Sequence, residues 1–554
     1  MTYDVAVIGA GPVGQTAALL LARWGLRVVV LDRRPVRDPV GSKAICQQRD
    51  VLDVWASVGA EAIAVEGRTW TTARTYYRDA ELFSWSFADP GRSPLPPYVN
   101  ISQARTEEIL DTCIARNDLV ELRWGHEVTA LSQDDAGATL VCANGAVIGA
   151  RFVVACCGAR GGGIRELLGL DFPGLTFDDQ FLICDIRADL SGWENERRFS
   201  FDPPWNPGRQ VLIHPCPGSV YRIDWQVPPG FDLAAEEAAG GLDRRIRQII
   251  GDRPYEIVWR SVYRFQARVI DRMRVGRVLL AGDCAHLVAP FGARGLNSGV
   301  PDAENAAWKI AFVANGWAPQ ELLDSYHAER HAAAMENLEV STATMRFLVP
   351  RDEAGWRRRR EILEAAATDP AIAAATVDSG RFAEPFWYVD SPLTTPEPSR
   401  PFAGRPPKGQ APAAVPGVII ADLPVTIAAR PDATRLRQIV RNGFTVLLAD
   451  GCDAGALAQA ARDATRAPVT VLAIDGIDPS GALAEALAAR TGEAWLIRPD
   501  AHIAAVLPDA DPARMTAVLH RALAQEPPGN SPHGASRGVH LAQVTSRSTP
   551  WRSP

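Results

Sequence analysis

The start of the chain alternates between apolar runs and glycine-rich or polar loops. "YDVAVIG" is a β-branched apolar run, "PVGQTAALLLARWG" has apolar residues at helical spacing, and "LRVVVLDR" is a second apolar run. This order predicts a βαβ unit whose loops lie at the carboxyl ends of parallel strands. The later runs "GARFVVACCG" and "GRVLLAGD" have the character of buried parallel strands. We expect both in the same sheet.

A different pattern fills the chain between those two later runs. "FLICDIRADL", "RQVLIHPCPG", "VYRIDWQVPP" and "YEIVWRSVYRFQAR" alternate apolar and polar residues and are separated by Gly, Pro and Asp turns. Strict alternation between turn residues is typical of antiparallel strands with one buried face. Residues 175–275 are therefore predicted to form a second, antiparallel domain inserted into the first.

The remainder divides into a helical part and a smaller α/β part. Helical periodicity marks "DAENAAWKIAFVANG", "LLDSYHAERHAAAMENLEV" and "RRRREILEAAATDP", and a proline-dense stretch at 385–417 marks a boundary. The runs "GFTVLLAD", "VTVLAIDG" and "GEAWLIRPDAHIAAVLP" then predict further strands. The predicted units are a first domain at 1–174 and 276–345, the inserted domain, a helical segment with a Pro-rich linker at 346–400, a third domain at 401–525, and a disordered tail at 526–554.

Composition and charge remove several classes of function. Hydrophobic residues make up 47% of the 554 residues and charged residues 22%, as in ordinary globular proteins. A net charge of −7 gives no reason to expect nucleic acid or an anionic membrane as partner. We find neither a signal-peptide pattern nor an apolar run of about 18 residues, so a cytoplasmic protein is expected. The nine cysteines lack zinc or C-x-x-C spacing, and no metal site is assigned.

The first glycine-rich loop has the spacing of a dinucleotide-binding loop. Gly9 and Gly11 lie between a strand and a helix that begins at Pro12 and Val13, and Gly14 lies in the first turn of that helix. In this context the glycines allow a tight turn, close approach of a pyrophosphate, and helix packing, while the helix N-terminus favours the phosphate charge. Asp32, at the end of the second strand, is placed to accept hydrogen bonds from a ribose. The alternative is a βα turn without a ligand.

A second stretch, "GDCAHLVAPFGARGLNSGVPDAENAAWKI" at 282–310, supplies the other half of the predicted site. It ends a strand with Gly282 and Asp283 and then begins a helix from a loop rich in glycine. A second helix N-terminus would therefore face the ligand, again with glycines that allow close approach of the backbone.

These motifs resemble those of the class A flavin-dependent aromatic hydroxylases, the group that contains para-hydroxybenzoate hydroxylase, phenol hydroxylase and 3-(3-hydroxyphenyl)propionate hydroxylase. "GAGPVG" with "VLDRR", "ISQARTEEIL", and the Gly-Asp stretch carry the resemblance up to about residue 345. It implies an α/β protein with a Rossmann-like FAD-binding domain, an inserted antiparallel β-sheet substrate domain and a thioredoxin-like C-terminal domain. That last domain has no C-x-x-C pair and is expected to serve packing or homodimerisation.

The resemblance also implies roles for single residues. Gly282 and Asp283 would contact the FAD ribityl and pyrophosphate region, and Gln103 the ribityl chain. Gly295, Leu296 and Asn297 match the loop facing the isoalloxazine ring, and Pro290 the proline at its reactive edge. Arg33 fits the adenosine or phosphate end, and Lys43 stands where relatives have an arginine near the pyrophosphate. His286 is expected to be structural. As isolated residues, Asp283 would be a turn residue, Pro290 a loop residue and Gln103 a surface residue.

The implied activity is a monooxygenase reaction. NADPH or NADH reduces FAD, O2 adds at C4a, and the C4a-hydroperoxide transfers OH to a small phenolic or related aromatic substrate inside a dry pocket. Residues of the inserted sheet that could line this pocket are His214, Tyr221, Arg222, Trp225, Tyr263 and Phe265. For each of them a core or sheet-face position is the default without a ligand, and none is assigned as a catalytic base.

One motif departs from the family pattern. Relatives carry an Asp-Gly pair after the strand "GARFVVACCG", where this chain has Cys157 and Gly158. Reduction by a nicotinamide cofactor is therefore the least supported step. Two alternatives stay open: an FAD-dependent oxygenase of Baeyer–Villiger or epoxidising type acting on a polyketide-like substrate, and a flavin-bound scaffold without activity.

Overall fold

The computed structural model describes residues 2–525, except 39–40, 42, 87–92, 378–379, 381 and 408–409. The predicted disordered tail at 526–554 lies outside the described residues. In the first part of the chain the elements are β1 (Thr2–Ile8), α1 (Pro12–Arg23), β2 (Val28–Asp32), β3 (Cys46–Gln48), α2 (Arg49–Ala56), α3 (Ala62–Glu66), β4 (Thr72–Tyr77), β5 (Ala80–Ser86), β6 (Tyr98–Asn100), α4 (Gln103–Ala115), β7 (Val120–Trp124), β8 (Val128–Gln133), β9 (Ala138–Cys142), β10 (Val147–Ala155) and α5 (Gly162–Leu167).

The middle and the end of the chain continue this numbering. The middle contains β11 (Gly174–Ala188), β12 (Glu196–Phe201), β13 (Gln210–Cys216), β14 (Val220–Val227), α6 (Leu233–Ala238), α7 (Gly241–Ile250), β15 (Tyr255–Val269), β16 (Arg274–Val275), β17 (Val278–Leu280), β18 (His286–Leu287), α8 (Arg294–Ala314), α9 (Asp324–Leu348), α10 (Glu353–Thr368) and α11 (Pro370–Thr376). The end contains α12 (Leu436–Val440), β19 (Phe444–Leu448), α13 (Ala454–Ala464), β20 (Val469–Ala473), α14 (Ile474–Ile477), α15 (Ala482–Leu487), β21 (Ala494–Ile497), β22 (Ile503–Leu507) and α16 (Pro512–Ala522).

The first sheet has the predicted parallel core. Its strand order is β16-β17-β10-β1-β2-β7, and β17, β10, β1, β2 and β7 run parallel. The two later apolar runs therefore return to the sheet that the N-terminal βαβ unit begins, as predicted. Strands β8 and β9 add an antiparallel hairpin at β10. The Rossmann-like α/β arrangement is confirmed.

The second sheet is larger than predicted. Its order is β18-β15-β11-β14-β13-β12-β4-β5, so strands from outside 175–275 belong to it. The expectation that residues 175–275 alone form this domain is wrong, because β4 pairs in parallel with β12 and extends the sheet by a hairpin. β4 alternates half-buried and buried residues, which suits a strand with one face on a core. The sequence patterns predict neither β4 and β5 nor β12.

The third unit forms a four-stranded sheet of order β20-β19-β21-β22. β19 runs parallel to β20 and antiparallel to β21. Helix α13 lies between β19 and β20, and α16 follows β22. This order is consistent with the predicted thioredoxin-like domain.

The third unit is joined to the first by a shared core and by buried ion pairs. Trp308 and Phe312 of α8 pack in the same apolar cluster as Phe444 of β19. Asp53 of α2 accepts hydrogen bonds from Arg441 at 2.7 and 2.9 Å and also pairs with Arg435. Packing against the first domain is therefore one role of the third unit. Among the described residues, no helix combines the length and apolarity needed to cross a membrane.

Candidate functional site

A cavity of about 680 Å³ lies between the first sheet and the second. Volumes of this order are typical of sites for cofactors and small molecules. One end is lined by the first glycine loop, and the other by the second sheet and the 290–296 segment. Sequence-predicted residues on the cavity wall are Gly9, Gly11, Pro12, Val13, Asp32, Arg33, Lys43, Gln103, His214, Arg222, Phe265, Asp283, Pro290, Gly295 and Leu296. The fold thus brings most of the predicted residues to one cavity.

The three glycines of the first loop have different surroundings. A Cβ on Gly14 would lie 1.9 Å from the carbonyl oxygen of Gly9, so this glycine allows α1 to pack on the strand. Gly9 has a φ of +106°, which side chains rarely adopt. A Cβ on Gly11 would meet no described protein atom within 4 Å. Gly11 is therefore the point where a ligand can approach the backbone at the start of α1, whereas Gly14 itself does not reach the cavity wall.

Asp32 is held in its ionised form at the end of β2. Its carboxylate accepts hydrogen bonds from the Ala10 backbone N–H at 2.8 Å and from the Arg34 guanidinium at 2.9 Å. Burial opposes ionisation, but these hydrogen bonds outweigh it and lower the pKa of Asp32. Arg33 is exposed at the mouth of the same cavity. The end of β2 thus presents a fixed negative charge beside the first glycine loop.

The turn at Gly282 and Asp283 is held by hydrogen bonds to a buried carboxylate, that of Asp302, which the sequence motifs do not indicate. Asp302 of α8 accepts hydrogen bonds from the Gly282 backbone N–H at 2.9 Å, from His286 Nε2 at 2.7 Å and from Arg330 Nε at 2.7 Å. Gly282 itself does not line the cavity, and Asp283 does. The hydrogen bond to Asp302 holds His286 next to the turn, which is consistent with the structural role expected for this histidine. An Asp inside a helix carries no sequence signal for this role.

The segment before α8 forms the opposite wall. Pro290, Gly295 and Leu296 line the cavity, so the first turn of α8, whose N–H groups have no partners within the helix, lies at this wall. Asn297 does not line the cavity. Its side chain donates to the Cys46 carbonyl at 2.9 Å and accepts from the Gln48 N–H at 3.0 Å. These two hydrogen bonds tie α8 to β3, and the approach of the 295–297 backbone to a flavin ring stays a prediction.

Gln103 and Lys43 lie between the two half-sites. The Gln103 side chain accepts from the Ala44 backbone N–H at 3.3 Å and donates to Glu107 at 2.8 Å. The Lys43 ammonium lies 5.1 Å from the centre of the Tyr263 ring, and burial lowers the pKa of Lys43. Both side chains line the cavity, whereas Tyr263 lies beyond its wall next to Lys43.

Strand alternation decides which residues of β14 face the cavity. Arg222 lines the cavity, while Tyr221 and Trp225 point to the other side of the sheet and pack against α7 residues such as Ile246. The expectation that Tyr221 and Trp225 could line the pocket is wrong, because neighbouring residues of a strand face opposite sides. Asp224 faces the cavity with Arg222. Asp224 is not among the pocket residues that the sequence predicts.

The cavity wall on the second sheet is apolar with a few charged groups. Arg222 donates to both oxygens of Asp185, at 2.7 and 2.9 Å, which neutralises the pair. Burial, and next the charges of Arg197 and Arg222, hold the pKa of His214 well below its usual range. His214 is therefore neutral at neutral pH and can accept or donate one hydrogen bond.

The segment that departs from the family pattern, Cys157 and Gly158 after β10, also lines this cavity. Cys157 lines it, and its Sγ lies 2.7 Å from Sγ of Cys284 in the Gly-Asp turn. The contact with Cys284, and then burial, raise the pKa of the Cys157 thiol well above its usual range. Neither Cys157, a neutral thiol, nor Gly158 supplies the carboxylate that the resemblance leads us to expect at this place.

Comparison with known proteins agrees with this geometry. A family model described as FAD binding domain matches residues 2–341, and a second, described as aromatic-ring hydroxylase, C-terminal, matches residues 413–526. A 3-(3-hydroxy-phenyl)propionate/3-hydroxycinnamic acid hydroxylase from Comamonas testosteroni is 30% identical over 380 residues. That match covers 67% of this chain and 62% of the relative, so the chain spans less than two thirds of that relative's length.

Solved structures with similar folds cover nearly the whole chain. The anhydrotetracycline hydroxylase OxyS from Streptomyces rimosus is 28% identical, with a TM-score of 0.67, over 94% of this chain and 99% of that one. The flavin-dependent monooxygenase PieE, solved with FAD and substrate, is 24% identical with a TM-score of 0.80, over 95% of this chain and 100% of that one. At 24% identity, the similarity to PieE shows a shared fold and nothing further.

Proposed function

We propose, from the premise that this chain belongs to the FAD binding domain family whose model matches residues 2–341, that it is an FAD-dependent monooxygenase. Its substrate would be a phenolic or related aromatic compound, hydroxylated with NAD(P)H as electron donor and O2 as oxidant. The observation that carries the proposal is the single cavity in which two glycine-containing half-sites meet an apolar sheet wall. The hydroxylase activities of the similar proteins support the same reading.

The residues of the cavity fit FAD. Gly11 leaves the start of α1 open to a pyrophosphate, and the charge of Asp32 lies where a ribose would be bound. Gln103 and Asp283 would hold the ribityl chain between the half-sites. The N-terminus of α8 at Gly295 and Leu296 would face the ring, where its N–H groups favour negative charge.

FAD bound here would supply the redox chemistry that activates O2 after reduction by a nicotinamide cofactor. The chain's part is to bind, orient and exclude water. Phe181, Phe265 and Phe291 form an aromatic cluster on the wall next to Pro290, with ring centres of Phe181 and Phe265 4.6 Å apart. This wall would hold an aromatic ring and keep the reaction away from water.

Flavin reduction by NAD(P)H is expected to occur with weak nicotinamide affinity. Cys157 supplies no carboxylate, and a lost positioning contact costs about 1–3 kcal/mol, roughly ten- to a hundred-fold in affinity. Anaerobic stopped-flow reduction of the FAD-loaded protein, with and without a panel of phenols, measures this. Bound phenol should accelerate reduction.

Two matched variants measure how the missing carboxylate at Cys157 affects nicotinamide affinity. Cys284→Ala alone removes the neighbouring sulfur, and Cys157→Asp in that background restores a carboxylate with room for it. The double variant should bind NAD(P)H about ten-fold more tightly than Cys284→Ala. If neither NADPH nor NADH bleaches the flavin of the unaltered protein while dithionite does, the proposed activity is wrong and a flavin-bound scaffold takes its place.

A further inference from the structure

Asp224 is a carboxylate on the cavity wall, and none of the described residues forms a salt bridge with it. Within the described part of the chain no group donates a hydrogen bond to its Oδ1. Two other acidic residues of this sheet are engaged: Asp185 binds Arg222 through both oxygens, and Asp179 accepts from Gln226 at 2.5 Å. The Asp224 residue is half-buried, but its Oδ1 atom is inaccessible, and an inaccessible polar atom without a partner is costly enough to call for an explanation such as a catalytic role.

The neighbours of Asp224 are apolar side chains and cations. Its strand partners are Leu212 of β13 and Ile183 of β11, which line the same cavity. The charged and titratable residues around this part of the cavity are Asp185, Arg197, His214 and Arg222, with Lys43 and Arg294 on other parts of its wall. The Arg222 guanidinium is already bound by Asp185, so Asp224 is not needed to neutralise it.

The protonation state of Asp224 can change near neutral pH. Burial raises the pKa of its carboxyl to about 7, although Arg222 acts in the opposite direction. Asp185 adds to the increase, and Arg197 reduces it. Because a base works best with a pKa near the working pH, this carboxylate suits proton transfer better than the neutral His214 does.

We propose that Asp224 is the base that accepts the proton of a phenolic hydroxyl, so that the substrate enters as a neutral phenol and reacts as its phenolate. The inference rests on the proposed function. In this step the phenol O–H bond breaks, its electron pair stays on the phenolate oxygen, and the proton moves to the carboxylate of Asp224. Nothing is oxidised or reduced in it. The positive charge of Arg197 on the same wall stabilises the phenolate.

The pH dependence of turnover has a defined sign. The carboxylate is the active form of Asp224, so kcat/KM for a phenol should rise with pH through about 7. In Asp224→Asn the rise should move toward the phenol's own pKa, near 10 for an unsubstituted ring, since only the ionised phenol then reacts. At about pH 7.5 the variant should lose roughly a hundred-fold in kcat, and Asp224→Glu should recover part of it.

A second measurement reads the carboxyl itself. Infrared difference spectra of the FAD-loaded protein on addition of phenol at about pH 8, where free phenol is neutral, should show a new protonated-carboxyl band, because the proton of the bound hydroxyl moves to Asp224. Asp224→Asn should lack this band. Asp179→Asn removes a carboxylate of the same sheet that does not line the cavity, and it should keep both the band and turnover within about three-fold.

The outcomes separate the two proposals. Turnover in the unaltered protein with equal turnover in Asp224→Asn would overturn the role of Asp224 and leave the monooxygenase proposal standing. Absence of turnover in both proteins with the phenol-induced band present would overturn the monooxygenase proposal and retain Asp224 as the proton acceptor. Absence of the band in the unaltered protein contradicts the inference.

Discussion

A Gly11→Val variant is expected to fold normally but to purify without FAD, with its affinity for added FAD reduced at least about a hundred-fold, or roughly 3 kcal/mol. Gly11 has a φ of −77° and a ψ of 177°, an extended backbone that valine adopts without strain. A Cβ there meets no described protein atom within 4 Å and lies on the cavity wall. The added side chain would therefore occupy only the space of the pyrophosphate. Flavin absorbance per protein and titration of the apoprotein with FAD measure the loss.

Two other glycines serve as controls for this substitution. Gly476 also has open space around its Cβ position but lies in the third unit, so Gly476→Val should keep full FAD content. Gly14→Val should fail to fold, because its Cβ would lie 1.9 Å from the Gly9 carbonyl oxygen. Full flavin absorbance in Gly11→Val would show that the pyrophosphate does not bind at this loop.

A Glu329→Gln variant is expected to lose about 3–5 kcal/mol of unfolding free energy, because it removes the salt-bridge partner of buried Lys309 and one of the two carboxylates paired with buried Arg498. Glu329 of α9 accepts from Arg498 at 2.6 and 2.9 Å and from Lys309 at 2.6 Å. Burial alone would raise the pKa of Glu329, but Arg498 and Lys309 hold it well below its usual range. Since Arg498 belongs to the third unit, the loss should loosen the contact between that unit and the first domain. Denaturant unfolding followed by tryptophan fluorescence measures it.

Glu336 provides a matched substitution on the same helix. Its carboxylate is 38% exposed and pairs with Arg405 at 3.0 Å, so Glu336→Gln should change stability by less than about 1 kcal/mol. If Glu329→Gln unfolds at the same denaturant concentration as Glu336→Gln, the buried network does not hold the units together.

The local parts of the site could be predicted from the sequence. Gly9, Gly11 and Gly14 have a spacing whose function depends only on the strand before them and the helix after them, and the structure contains both. The start of α8 could be predicted for the same reason, since the signals for a helix N-terminus lie in neighbouring residues of the sequence. Parallel strands separated by long insertions were also recognisable from their unbroken apolar runs.

Features that depend on distant parts of the chain could not be predicted. Asp302 supports a turn twenty residues before it, and Asp224 gains its importance from the lack of a partner, which only the folded arrangement defines. For Tyr221 and Trp225 the sequence left both a pocket and a core position open, because it gives the alternation of β14 but not which of its faces meets the cavity; the structure places both in the core. The pairing of β4 with β12 joins segments about 120 residues apart, for which no local pattern exists.

The most direct test of monooxygenase activity is incorporation of isotopically labelled O2. The FAD-loaded protein, NAD(P)H and a panel of phenols, incubated under labelled O2, should give a product that carries one labelled oxygen atom on the ring, with one NAD(P)H consumed per product formed. Asp224→Asn and Gly11→Val provide the low-activity and flavin-free references. NAD(P)H consumption that yields only hydrogen peroxide, or a product whose new oxygen comes from water, would contradict the account.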